Sequence, residues 1–155
     1  MPKSSQQLIG ELKSNHVIFR VNAAKVIGEN RLHDALPALI AAASDESHLV
    51  RDNVAYALGA MGDPSAFDAL VTLLQDPHPW VRKSAAKGMG LLRDRRAIPY
   101  LGRLRDDDEP IVRKSAVRSL GWIGDASARN EIKGFLLDES ALVREAAEKA
   151  LLLIT

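Results

Sequence analysis

The sequence predicts an all-α chain, an α-solenoid (superhelix) of five 31-residue helix pairs with about ten helices. Three observations carry that reading: a dipeptide that returns at a fixed interval, apolar residues at helical spacing inside each return, and turn residues between the helices. Val50-Arg51, Val81-Arg82, Val112-Arg113 and Val143-Arg144 stand 31 residues apart, and one more step back reaches Phe19-Arg20. Five such units, approximately 1–31, 32–62, 63–93, 94–124 and 125–155, fill the 155 residues as one domain. Side-chain size keeps the same period: Ala23-Ala24, Val54-Ala55, Ala85-Ala86 and Ala116-Val117 are followed by Ile27-Gly28, Leu58-Gly59, Met89-Gly90 and Leu120-Gly121. No segment alternates polar and apolar residues over the length of a strand.

Within a unit, Val50, Val54, Leu58 and Met61 fall at steps of four, four and three, one face of an α-helix. This is the second helix of the pair. The first helices read as 3–14, 34–44, 64–75, 95–105 and 127–137; in the third unit Phe67, Leu70, Val71 and Leu74 keep helical spacing. Between helices, Gly62-Asp63-Pro64 supplies a left-handed closing residue, a cap and a first-turn proline, and Gly124-Asp125 repeats the signal without the proline. A helix pair this small cannot bury its own apolar faces, so neighbouring units must stack. Ala24 and Gly28, Ala55 and Gly59, Ala86 and Gly90, and Val117 and Gly121 form the small-residue stripe that lets them approach. In the last unit these positions are Glu148 and Leu152, the different outer face expected of a terminal repeat.

Composition sets the bounds. With 46% hydrophobic residues and only 5% aromatic ones, the core is expected to be built of Ala, Leu, Val and Ile. Twenty-one Lys and Arg against twenty Asp and Glu leave +1, which argues neither for a general polyanion binder nor for an acidic chaperone and places any electrostatic signal locally. The absence of cysteine excludes disulfides and thiolate chemistry. No apolar run reaches the roughly 18 residues of a membrane span, and residues 1–15 lack an apolar signal core, so the expectation is a soluble, cytoplasmic chain.

The motif Val-Arg-x-x-Ala-Ala-x-Ala-Leu-Gly-x-Ile-Gly-Asp, read here over 50–63 and 112–125, resembles the HEAT-like repeats of the phycobilisome-lyase (PBS lyase) family along the whole chain. The resemblance implies first helices on the convex side and second helices lining the concave side. Carried over, the concave positions are the two residues before each Val-Arg, the two after it, and those following Ala-Ala and Leu-Gly. The first unit departs most, with Phe19 for valine and Leu32 where the linker aspartate belongs. The family serves many unrelated tasks, so fold is implied more sharply than function.

An Asp stands six residues before an Arg in four units: Asp45 and Arg51, Asp76 and Arg82, Asp107 and Arg113, Asp138 and Arg144. Evenly spaced arginines can form a phosphate track. The family pattern instead makes these eight residues a structural ladder linking the inter-helix turns, because guanidinium donates to carboxylates and to orphan carbonyls at helix ends. Aperiodic residues carry the functional signal. Lys83, Lys87 and Leu91, then Lys114, Arg118 and Trp122, fall on the exposed arc of successive second helices, joined by Asn53, Tyr56 and Trp80. These nine are the candidate partner-binding residues, since Trp, Tyr and Arg grouped on one face dominate binding hot spots. Two packing alternatives stand beside this: Trp80 as a staple under its own helix start, and Trp122 as filler between repeats. From Arg82 to Arg118 eleven basic residues face five acidic ones, but some, such as Arg93 and Arg95, belong to the first-helix side, where a solvated charged exterior explains them.

Catalytic candidates are few. His16, His33, His48 and His78 precede Val, Asp, Leu and Pro, so the His-Glu pairs of iron-binding hydroxylases of related fold are absent. His48 and His78 can lie close, yet two histidines alone make a poor metal site. The acidic run at 106–109 precedes a helix start, where carboxylates favour the dipole. No phosphate-binding glycine loop or nucleophile elbow occurs, and no metal or cofactor is expected. The reading is a non-catalytic scaffold that binds a protein or peptide partner on its concave face. One alternative is a binder of nucleic acid or another acidic ligand through the basic, aromatic patch. Another, implied by the resemblance, is a bilin lyase-like subunit acting on a tetrapyrrole. Leu151, Leu152, Leu153 and Ile154 leave a monomer or weak self-association both open.

Overall fold

The computed structural model describes residues 2–154, which form ten α-helices and no strand. In order they are α1 (Ser5–Glu11), α2 (Val17–Glu29), α3 (Leu36–Ala41), α4 (His48–Met61), α5 (Phe67–Leu73), α6 (Pro79–Leu92), α7 (Ile98–Arg103), α8 (Pro110–Ile123), α9 (Arg129–Gly134) and α10 (Ala141–Leu152). The even helices pack side by side in sequence, and each odd helix packs against the even helix that follows it.

The odd helices are shorter than their apolar spacing suggests. In units two, four and five, 3₁₀ turns flank six-residue α-helices, and a 3₁₀ turn precedes α5. A helix this brief leaves most of its carbonyls without an intrahelical partner, and the tighter turns take up part of that deficit. Asp63, Asp94 and Asp125 fix the starts, each carboxylate accepting the N–H two residues on. Pro79 and Pro110 open α6 and α8, where the missing N–H costs nothing. Gly62 and Gly124 close α4 and α8 with φ of +70° and +71°. Arg31 and Arg93 adopt the same left-handed conformation in the other linkers without glycine's freedom.

One core runs the length of the array. Ile27, Val50, Leu58, Leu70, Leu101, Leu120 and Ile132 are fully buried in it, and Phe67, Met89 and Phe135 add larger side chains to the aliphatic set. The even helices meet through small residues. A Cβ on Gly28 would stand 2.6 Å from Ala57 Cβ, one on Gly90 2.7 Å from Ser119 Cβ, and one on Gly121 2.9 Å from Ala150 Cβ. On Gly59 it would overlap the backbone of Gly88. The even helices meet at every junction and line one side of the array, its inner side; between the odd helices, Gly102 of α7 lies against the Glu131 side chain of α9. At the far end of the array Glu148 is exposed and Leu152 is 84% exposed, while Leu151 is half-buried and Ile154 buried.

The ladder joins the units at one edge, and its pairing runs between them. Arg20, Arg51, Arg82 and Arg113 grip Asp45, Asp76, Asp107 and Asp138 respectively, with Nε to Oδ2 at 2.7, 2.7, 2.8 and 2.7 Å. A second bond from Nη2 to Oδ1 makes each grip bidentate. Aspartate and arginine six residues apart are linked differently: Nη1 of Arg51, Arg82, Arg113 and Arg144 donates to the carbonyl of Asp45, Asp76, Asp107 and Asp138. Each carboxylate also accepts the N–H two residues ahead, which holds it away from its own unit's arginine. Burial raises the Asp76 and Asp138 carboxyls, but the bonds from Arg51 and Arg113 and from the N–H of His78 and Ser140 outweigh it. Both therefore sit below the ordinary carboxylate range.

Two outcomes follow from this packing. Gly59→Ala gains helix propensity, yet it must push two backbones apart and is expected to lower stability by about 1–3 kcal/mol. Gly10, with open space where its Cβ would be, is the control: Gly10→Ala is expected to raise stability by about 0.5–1 kcal/mol, and urea midpoints that moved both variants the same way would contradict the close-contact account. A carboxyl with a depressed folded pKa stabilises the fold fully above its unfolded pKa of about 3.9, and that contribution is lost as pH falls through the folded value. Asp76→Asn is accordingly expected to cost about 2–3 kcal/mol at pH 7, with the gap to wild type closing below about pH 4. A gap that stays constant across acid unfolding curves would exclude a charged ladder.

Candidate binding face of the even helices

Four positions of each even helix face outward on the inner side, at i, i+3, i+7 and i+11, the spacing of one helical stripe. The first position is the residue before each Val-Arg or Phe-Arg. It is Ile18, Leu49, Trp80, Ile111 and Leu142 in the five units, and four of these are 49–61% exposed. Five large apolar side chains thus stand in a row at the helix starts. The sequence carries that signal in full, since the positions repeat at 31 and every one is apolar.

The remaining positions depart from the period. On α6 they are Lys83, Lys87 and Leu91; on α8, Lys114, Arg118 and Trp122; on α10, Glu145, Lys149 and Leu153. Each aromatic ring of the face carries a cation. Lys83 Nζ lies 4.6 Å from the Trp80 ring centre, Lys87 Nζ 4.7 Å from that of Tyr56, and the Arg118 guanidinium 5.2 Å from that of Trp122. The Lys87–Tyr56 pair bridges α6 and α4. Ser115 Oγ bridges α8 and α6 by donating to the carbonyl of Lys83 at 3.0 Å.

Two recesses lie side by side on this face. Between α6 and α8, a recess of about 290 Å³ takes in Trp80, Lys83, Lys87, Lys114, Arg118 and Trp122, six of the nine residues expected from sequence, together with Ile111. Between α8 and α10, one of about 370 Å³ shares Lys114, Arg118 and Trp122 and adds Leu142, Glu145, Lys149 and Leu153. Tyr56 connects to the first recess through Lys87, and Leu91 stands 36% exposed at the end of α6. Asn53 differs. Its amide nitrogen donates to the Leu49 carbonyl at 2.9 Å, so its donor is already engaged within its own helix. Trp80 is 49% exposed, and Trp122 is half-buried between the two recesses.

Charge on this face is uncompensated. Among the described residues, Lys83, Lys87, Lys114 and Arg118 form no ion pair and donate no side-chain hydrogen bond. The ladder arginines show the contrast, since Arg51, Arg82 and Arg113 are each held by a carboxylate and by carbonyls. Arg95 and Arg96, on the odd-helix side, pair with Asp125 and Asp94. Two carboxylates stand at the second outward position of the flanking helices, Asp52 on α4 and Glu145 on α10; Glu145 is held by Lys149 at 2.6 Å, and that bond, with the charges of Lys149 and then Lys114, keeps its carboxyl below the usual range.

The histidine pair has settled into a stack. His48 and His78 lie ring over ring at 3.9 Å and 6°, and His78 Nδ1 accepts the N–H of Trp80 at 3.3 Å. In-plane lone pairs of parallel rings do not converge on one ion.

The sequence profile described as HEAT repeats matches this chain over residues 5–86 and again over 67–152. No curated protein matches it. Among solved structures, a chain from the complex of CpcE and CpcF of phycocyanin lyase from Nostoc sp. PCC7120 is similar at 30% identity and a TM-score of 0.86. The likeness covers 100% of this chain and 66% of that one, so the chain spans just under two thirds of its length. An engineered protein superimposes with a TM-score of 0.70 at 19% identity, over 98% of this chain and 79% of that one. A designed armadillo repeat protein in complex with the peptide (KR)4 does so at 0.66 and 19%, over 96% and 80%. These last two likenesses concern the fold alone. No helix among the described residues is long and apolar enough to cross a membrane.

Proposed function

The chain belongs to the HEAT repeat family, and from that premise we propose that it is a non-catalytic binding module holding a protein partner against the face of α4, α6 and α8. One observation carries the reading: four cations with no carboxylate or hydrogen-bond partner stand on α6 and α8 beside three partly exposed aromatic rings. Cations without carboxylate partners repel one another, whereas exposed aromatics supply large contact area at low entropic cost. Such a combination is useful to a surface that meets something else. The rings are held in place by their cations, so a partner meets a preorganised surface.

The likeness to the phycocyanin lyase complex supports a second reading, in which the chain is one subunit of a lyase-type assembly and works beside another chain. A bilin mixed with the chain tests it directly: a shifted absorption band supports the reading, and an unchanged spectrum counts against it.

For the binding module, affinity capture with wild type beside a Trp122→Ala, Lys87→Glu double variant identifies what this face holds. The expected outcome is one or more proteins retained by wild type and lost by the variant. With such a partner in hand, Trp122→Ala or Tyr56→Ala is each expected to weaken binding by at least about 1 kcal/mol with an unchanged melting curve. Equal affinity of both variants and wild type overturns the assignment of this face.

A further inference from the structure

Resting on the reading of this face as a protein-binding surface, we propose that its occupant is an extended acidic segment with a carboxylate at every third residue and apolar side chains between.

The argument begins with the order of residues along each helix. On α6 and α8 the stripe reads apolar, cation, cation, apolar: Trp80, Lys83, Lys87, Leu91, then Ile111, Lys114, Arg118, Trp122. On α10 Leu142 and Leu153 hold the outer positions, Glu145 the second, and Lys149, bonded to Glu145, the third. Laid side by side, the stripes of α6 and α8 make a basic track that crosses these two helices, with an apolar row along each edge. The rows are about 16 Å apart, from eleven residues at 1.5 Å each. Charge complementarity therefore asks for carboxylates along the middle of the ligand and apolar groups to either side. A segment uniformly acidic leaves both apolar rows uncovered, and an uncharged one leaves four half-exposed cations desolvated without a partner.

Spacing sets the period of the ligand. Helices packed through small residues lie at the short end of the usual range of about 8–10 Å, so the cations recur along the track at that interval. An extended polyproline II chain rises about 3.1 Å per residue with three residues per turn, which returns the same side every 9 Å or so. A β-strand returns the same side every 6.6 Å or so and falls out of step within two helices. Two recesses in succession, rather than one continuous trough, fit a chain that sets down one carboxylate and one apolar group per unit.

The test uses labelled twelve-residue peptides followed by fluorescence anisotropy at low salt. The probe is (Glu-Pro-Leu) repeated four times, which proline keeps extended and out of a helix. Its controls are the same composition with the four glutamates in one block, and (Gln-Pro-Leu) repeated four times. Binding of the probe at least tenfold tighter than either control is expected, falling steeply with salt and at least tenfold on Lys87→Glu, Arg118→Glu substitution. Lys87→Gln, Arg118→Gln, which introduces no new charge, is expected to fall between them. Equal binding of the block peptide overturns the every-third spacing, and equal binding of the glutamine peptide overturns the acidic requirement while leaving a peptide-binding face intact. No binding by any peptide also overturns the inference, with the capture experiment still deciding whether the face holds a folded partner. A twelve-nucleotide oligo(dT) bound more tightly than the probe, in a manner sensitive to the same variants, overturns both the acidic segment and the protein-binding reading.

Discussion

Everything on the inner side of this molecule depends on a contact between residues that have almost no side chain. Gly28 meets Ala57, Gly59 meets Gly88, Gly90 meets Ser119, and Gly121 meets Ala150. Each pair is separated by 29 residues, so the contact is itself periodic and recurs at every junction between even helices. A larger residue at any of these positions would hold two helices apart at that junction. Close approach also places the outward stripes of neighbouring helices beside one another. Lys87 reaches the ring of Tyr56 on the preceding even helix only because the two backbones are so near.

The ladder works at the opposite scale. Small residues set how near the even helices come, and the arginine–aspartate grips set how each turn is oriented against the next. Each aspartate is held by a guanidinium from the unit before it and by an N–H from its own turn, while the arginine of its own unit bonds its carbonyl. Charge and main chain are satisfied together, so each ladder cation that grips an aspartate is unavailable to a ligand. That division lets a chain of net charge near zero present a basic surface. Most of its acidic residues lie in the turns and on the odd helices, with Asp52 and Glu145 on the even-helix face, and the cations of α6 and α8 are left without a carboxylate partner.

The repeat, the helix pairs and the small-residue stripe were legible in the sequence because each is written five times or nearly so. A periodic pattern averages out the accidents of any one unit. The brevity of the odd helices was not legible, since apolar spacing over 34–44 or 95–105 reads the same whether its ends are α or 3₁₀. Nor was the direction of the ladder. Asp45 and Arg51 are near neighbours in sequence, and nothing in their spacing reveals that the carboxylate reaches back 25 residues to Arg20. Side-chain competition hid the state of Asn53, whose amide turns back to its own helix. The part of the face contributed by α10 was missed for a different reason: Leu142, Lys149 and Leu153 look like ordinary surface residues until α8 is laid beside them.

Periodicity also separates what folds this chain from what it offers to others. A residue required by the architecture must be required in every unit, and the Val-Arg, Ala-Ala and Leu-Gly positions obey that rule with few exceptions. The second and fourth outward positions do not: the i+3 series runs Val21, Asp52, Lys83, Lys114, Glu145 and the i+11 series Glu29, Ala60, Leu91, Trp122, Leu153, while the i+7 series, Lys25, Tyr56, Lys87, Arg118, Lys149, is cationic in four of five units. Packing places no demand on them, so their identities are free to answer to something outside the fold. The first outward position is the instructive exception, apolar in all five units yet half-exposed or more in four of them. Architecture alone does not ask for four large hydrophobic groups in water. A row that is both periodic and exposed is what a ligand lying along the array would see, one contact from each unit, with the aperiodic cations beside it deciding which ligand that is.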